Sequence, residues 1–154
     1  WKVATTLPRT GGESLGFGTF EAKDYDELID HPVEMGTFTH FVFEAAGVPH
    51  EVAITGRHSC DTERLARDLK LICESHISMF GELPEMERYL FMVMAVGSGY
   101  GGLEHRSSTA LICDRDDLPQ VGVEKVTNGY RQFLGLCSHE YFHLWNVKRI
   151  NRKA

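Results

Sequence analysis

Apolar and polar residues change their spacing several times along this chain, and each change marks an element. From 37 to 45 (TFTHFVFEA), Phe38, Phe41, Val42 and Phe43 are mixed with Thr and His, which predicts a strand; residues 51–55 (EVAIT) alternate similarly. Gly47, Val48 and Pro49 lie between and predict a hairpin connection, so the two strands are expected to run antiparallel. Asp61 is an N-cap for a helix in which Leu65, Leu69, Ile72, Cys73, His76 and Phe80 recur at helical spacing before Gly81 and Pro84 stop it. The run at 89–96 (YLFMVMAV) is apolar throughout and followed by glycines, which predicts a central strand covered on both faces. Residues 109–113 predict another short strand, and 129–147 a helix with Asn128 as N-cap. Strands and helices in this order predict an α+β fold.

The first residues are patterned differently. Residues 1–7 (WKVATTL) read as a strand, and the glycine-rich stretch 10–19 (TGGESLGFGT) reads as a boundary. Residues 1–18 are therefore expected to be the end of a preceding β domain and a linker, with a compact unit from 19 to 154.

Composition narrows the class. The chain has 154 residues, 42% of them hydrophobic and 25% charged, as in an ordinary globular domain. Its longest apolar run, at 89–96, is far short of the ~20 residues that cross a bilayer, so no membrane span is expected. A net charge of -6 argues against nucleic acid as a partner. The basic run Lys148, Arg149, Arg152 and Lys153 is expected to complement a helix C-terminus instead. Cys60, Cys73, Cys113 and Cys137 are irregularly spaced with no CxxC pair, which predicts reduced, buried thiols and favours a cytoplasmic location.

The last predicted helix carries the chemistry. His139, Glu140, Tyr141, Phe142 and His143 form HExxH, in which two histidines one turn apart converge on a Zn2+ ion while the glutamate serves as general base toward water. Tyr130, Phe133, Leu134, Cys137, Tyr141 and Leu144 fall on one side of the helical wheel and His139 and His143 on the other, so one stripe anchors the helix and its opposite side meets a cleft. Gly135, one turn earlier, leaves space there. Zinc needs a third protein ligand, and the metzincin continuation fails because 146 is Asn and 149 is Arg. Residues 144–154 hold no Asp, Glu, His or Cys, so the ligand comes from upstream or from sequence beyond Ala154. A rival is a closed structural zinc site completed by Cys137 or Cys113, or a pseudoenzyme that only binds peptides.

A second motif precedes it. Gly97, Gly99 and Gly102 fit GxGxxG formally, but 103–113 continues as a β-like stretch rather than the helix that would receive a pyrophosphate. The alternative is an edge strand on which Gly101 and Gly102 permit close approach of a peptide backbone. Glu104 would then hold the peptide's ammonium group, or be an ordinary solvated glutamate; the residues alone leave both open.

GGLEH (101–105) followed by HEYFHLWNVKRI (139–150), together with WKVATTLP at the start and YDELIDHPVEMG (25–36), resembles the glycyl aminopeptidase family of zinc metallopeptidases, often fused to a PDZ domain. The resemblance implies a thermolysin-like gluzincin domain in which His139 and His143 bind zinc and Glu140 is the base. It implies that GGLEH corresponds to the exopeptidase motif GxMEN, with Glu104 recognising the peptide amino terminus; His105 stands where related enzymes have Asn. It further implies that a third ligand, a glutamate, and a transition-state stabiliser lie in a downstream helical subdomain. On that reading residues 19–154 are the N-terminal part of the catalytic domain. Such a segment is expected to bind zinc weakly and to show little activity by itself, the complete enzyme cleaving peptides with small first residues, Gly or Ala.

Overall fold

The computed structural model describes residues 1–146; the expected contribution of Lys148, Arg149, Arg152 and Lys153 lies outside the described residues. In chain order the elements are β1 (Lys2–Ala4), β2 (Arg9–Gly12), β3 (Gly18–Phe20), α1 (Tyr25–Ile29), β4 (Glu34–Gly36), β5 (Thr39–Ala45), β6 (Val48–Thr55), α2 (Thr62–Phe80), β7 (Tyr89–Val96), β8 (Gly101–Glu104), β9 (Ser108–Asp114) and α3 (Asn128–Phe142). The fold is α+β, and its centre is a five-stranded mixed sheet of order β5-β6-β7-β9-β8. β5 and β6 are antiparallel, β6, β7 and β9 run parallel, and β8 returns antiparallel as an edge.

The β5–β6 connection is tighter than the three residues expected from the sequence. Val48 and Pro49 already pair with Ala45 and Glu44, leaving a two-residue turn at Ala46 and Gly47, both with positive φ. Such a turn matches the right-handed twist of the flanking strands, and a missing amide hydrogen at Pro49 costs nothing because pairing to β7 begins only at His50.

β7 occupies the middle of the sheet, and its side chains alternate between two apolar layers. Tyr89, Phe91, Val93 and Ala95 join Leu65, Leu69 and Cys73 of α2 and Tyr130, Phe133, Leu136, Cys137 and Tyr141 of α3 in the main core. Leu90 and Met92 face the other way, into a smaller layer with Ala4, Phe38 and Ala53. Each large side chain so buried contributes roughly 1.5–3 kcal/mol. α2 begins at Asp61, whose carboxylate accepts from the Arg64 amide, and ends at Gly81 in the left-handed conformation. Both ends are those expected.

The leading residues pack onto the sheet. β1 pairs antiparallel with β4, and the glycine-rich stretch folds as the β2–β3 hairpin. Arg88 reaches back with one nitrogen to the Thr5 carbonyl (2.7 Å) and with the other to Glu51 (3.2 Å), which also accepts from His40 at 2.8 Å. Although burial pushes the Glu51 carboxyl up, His40 and Arg88 outweigh it and hold the group below the usual carboxylate range.

Candidate active site

α3 starts one residue earlier than expected, because the Thr127 hydroxyl caps it by accepting from the Tyr130 amide at 3.1 Å. It also ends earlier: Phe142 is its last residue and His143 is the cap, still in the right-handed region at φ -63 and ψ -13. Within the motif, therefore, His139 sits in the last turn and His143 just beyond it, with near-helical spacing preserved.

The buried stripe of α3 is Tyr130, Phe133, Leu136, Cys137 and Tyr141, continued by Leu144; Leu134, assigned to that stripe from the wheel, is only half-buried. Tyr141, inside the motif, is the anchor. Its hydroxyl donates to His50 Nε2 at 2.9 Å, and His50 Nδ1 donates to the Val48 carbonyl at 2.9 Å, with both side chains fully buried. Burial holds the His50 imidazole below its ordinary value, so it is kept neutral. This link fastens the motif to β6 and was not visible from the sequence, because His50 belongs to no pattern.

The opposite side of α3 carries the polar groups. His139 and His143 bring their Nε2 atoms to 3.2 Å from one another. Two nitrogen ligands of a tetrahedral zinc at ~2.0–2.1 Å stand roughly 3.3–3.4 Å apart, so the pair fits the metal. The Nδ1–H of His143 donates to the Asn146 carbonyl at 3.0 Å, which leaves Nε2 unprotonated and ready to ligate. Glu104, Glu140 and His143 each place one ligating atom within 4.8 Å of the others, and His139 is not a member of that group. Cys113 and Cys137 lie buried in the main core and belong to no such group among the described residues.

Glu140 is buried, and its Oε2 has no hydrogen-bond partner among the described residues, so a buried acceptor stands unsatisfied beside the two histidines, as suits a group that binds water at a metal site. Burial pushes its carboxyl up; His139 and His143 oppose that, and Glu104 adds to it.

β8 forms the wall beside α3. Gly102 and Glu104 pair with Leu111 and Thr109, which face the main core, so both are directed to the α3 side of the sheet. Gly101 and Leu103 alternate to the other side. A side chain at Gly101 would meet nothing within 4 Å, whereas one at Gly102 would collide with Glu140. The structure thus brings His139, His143, Glu140, Glu104 and Gly102 together at one place between α3 and β8, with Gly101 at its margin.

Residues 1–37 match the Peptidase M61 N-terminal domain and residues 132–154 match the M61 glycyl aminopeptidase family. The chain belongs to the M61 peptidase family. A crystal structure of an aminopeptidase N family protein from Idiomarina loihiensis superposes on this M61 chain with a TM-score of 0.94 and 49% identity, covering 96% of this chain and 25% of that one. The chain thus spans about a quarter of that relative's length. Among curated proteins, none matches. No helix among the described residues is long and apolar enough to cross a membrane.

Proposed function

We propose that the chain supplies the sheet and active-site helix of a thermolysin-like gluzincin aminopeptidase that removes small first residues, Gly or Ala, from peptides. The observation that carries this is the convergence of the His139 and His143 Nε2 atoms beside two carboxylates, one buried and one at the end of an open edge strand. His139 and His143, with a ligand from the rest of the protein, would hold a zinc ion, which when bound would supply Lewis acidity toward a carbonyl oxygen and toward water.

The other roles fall to this chain's residues. The free edge of β8 pairs with the peptide backbone and sets its direction. Glu104 binds the peptide's ammonium group, so the bond after the first residue is the one presented. Glu140, raised above the ordinary carboxylate range chiefly by burial, takes a proton from the attacking water and delivers it to the leaving amine. The downstream helical subdomain, and a PDZ domain if the protein follows its relatives in this, would complete the metal site and add a further partner surface. Burial of Cys113 and Cys137 in the core favours this reading over a structural zinc site.

The test is made on the full-length protein with fluorogenic Gly and Ala amides and their N-acetylated forms. Glu140→Gln is expected to abolish cleavage while zinc stays bound at one per chain, and Glu104→Gln to raise KM for free amines. Equal cleavage of acetylated and free substrates would overturn the aminopeptidase assignment, and cleavage surviving Glu140→Gln would overturn the role of the base.

A further inference from the structure

Gly102 was expected to serve the peptide, but its geometry concerns the enzyme. A Cβ built on Gly102 would lie 2.5 Å from Glu140 Oε1 and 2.8 Å from both Cδ and Cγ, distances that real Cβ atoms essentially never show. The same construction at Gly101 meets nothing within 4 Å. Gly102 is in regular antiparallel pairing with Leu111, a conformation that alanine adopts as readily, so backbone freedom is not what this position requires. Room is.

We infer that Gly102 is a positioning residue: the absence of a side chain on this β8 residue holds open the volume that the Glu140 carboxylate occupies, and so sets where the base stands relative to His139 and His143. This rests on the reading of Glu140 as the base, yet the geometry does not. β8 cannot easily retreat, because its partner β9 is hydrogen-bonded along its other side to β7. Glu140 is the softer of the two, being the far end of a flexible side chain. A methyl group at 102 therefore moves the carboxylate rather than the strand, and a displacement of about 1 Å in a catalytic group is worth ~100-fold in rate.

The experiment is Gly102→Ala in the full-length protein, examined by kinetics, zinc content and a crystal structure. The expected result is a kcat lower by about 10- to 100-fold with KM within about twofold. Zinc should remain at one per chain, with Glu140 in a different rotamer and β8 unmoved. Gly101→Ala is the control for a methyl group on β8 that points to the other side of the sheet and meets nothing within 4 Å, so it is expected to leave the Glu140 rotamer unchanged. An unchanged kcat, or a Glu140 carboxylate left in place while β8 backs away, overturns the inference. Should Gly102→Ala not fold, Gly102→Ala combined with Glu140→Ala is expected to fold, because the colliding atoms are gone; failure of that double variant also overturns it. If the protein cleaves no peptide at all, the functional reading fails, and the rotamer in the crystal structure still decides the role of Gly102.

Discussion

Tyr141→Phe isolates the link between the HExxH motif and the sheet. The ring is fully buried and stays in place among Tyr89, Phe91 and His50, so packing is preserved and only the hydroxyl is lost. That hydroxyl donates to His50 Nε2 at 2.9 Å. Without it, a fully buried imidazole nitrogen is left without a donor, which costs about 1–3 kcal/mol. For a domain of this size that corresponds to a Tm lower by about 2–12 °C. Chemical denaturation gives the free energy directly. His50→Leu combined with Tyr141→Phe removes both polar partners and is expected to be less destabilised than the sum of the single variants, by about 0.5–3 kcal/mol. Additivity of the two, or a cost of Tyr141→Phe below about 0.5 kcal/mol, would refute a desolvated, mutually dependent pair.

Three further outcomes are expected. Because burial depresses the His50 pKa below 6.5, both states are neutral above that pH; below it the unfolded chain binds a proton that the folded one refuses, so stability falls on acidification, and His50→Leu should flatten that part of the stability–pH curve. Burial pushes the thiols of Cys60 and Cys113 up to about 12, so native protein should react with a thiol reagent far more slowly than denatured protein, and fast reaction of the folded state would contradict their burial. Gly81→Ala puts a Cβ on a residue at φ 79 with nothing within 4 Å, so only backbone strain should register, at about 1–2 kcal/mol by denaturation.

Much of this could be read in the sequence because the deciding signals were local. α2 follows from Asp61, a repeating apolar stripe and Gly81, all within one segment, and β7 follows from an apolar run too short for most helices. The convergent pair was equally legible, since one turn of helix fixes the separation of His139 and His143. What escaped depends on contacts remote in sequence. His50 anchors Tyr141 across 91 positions, and nothing near His50 announces it. Leu136 was missed because the wheel alone cannot show that α3 is wedged against both α2 and the sheet. α1 and β4 were missed as elements because they are too short for a periodicity. The glycines of GGLEH were noticed but given one common purpose, when alternation along β8 gives them two.

The small apolar layer beneath the sheet bears on how the protein is made. Ala4, near the start of the chain, shields Phe38, Ala53, Leu90 and Met92, and Arg88 holds the Thr5 carbonyl. During synthesis the first strand can pair with β4 early, but it must wait until β7 has emerged to cover Leu90 and Met92 and to be held by Arg88, and until then that part of the underside stays wet and adhesive. Expression beginning at residue 19 would leave that surface permanently uncovered, and the product should aggregate even though every residue around HExxH is present.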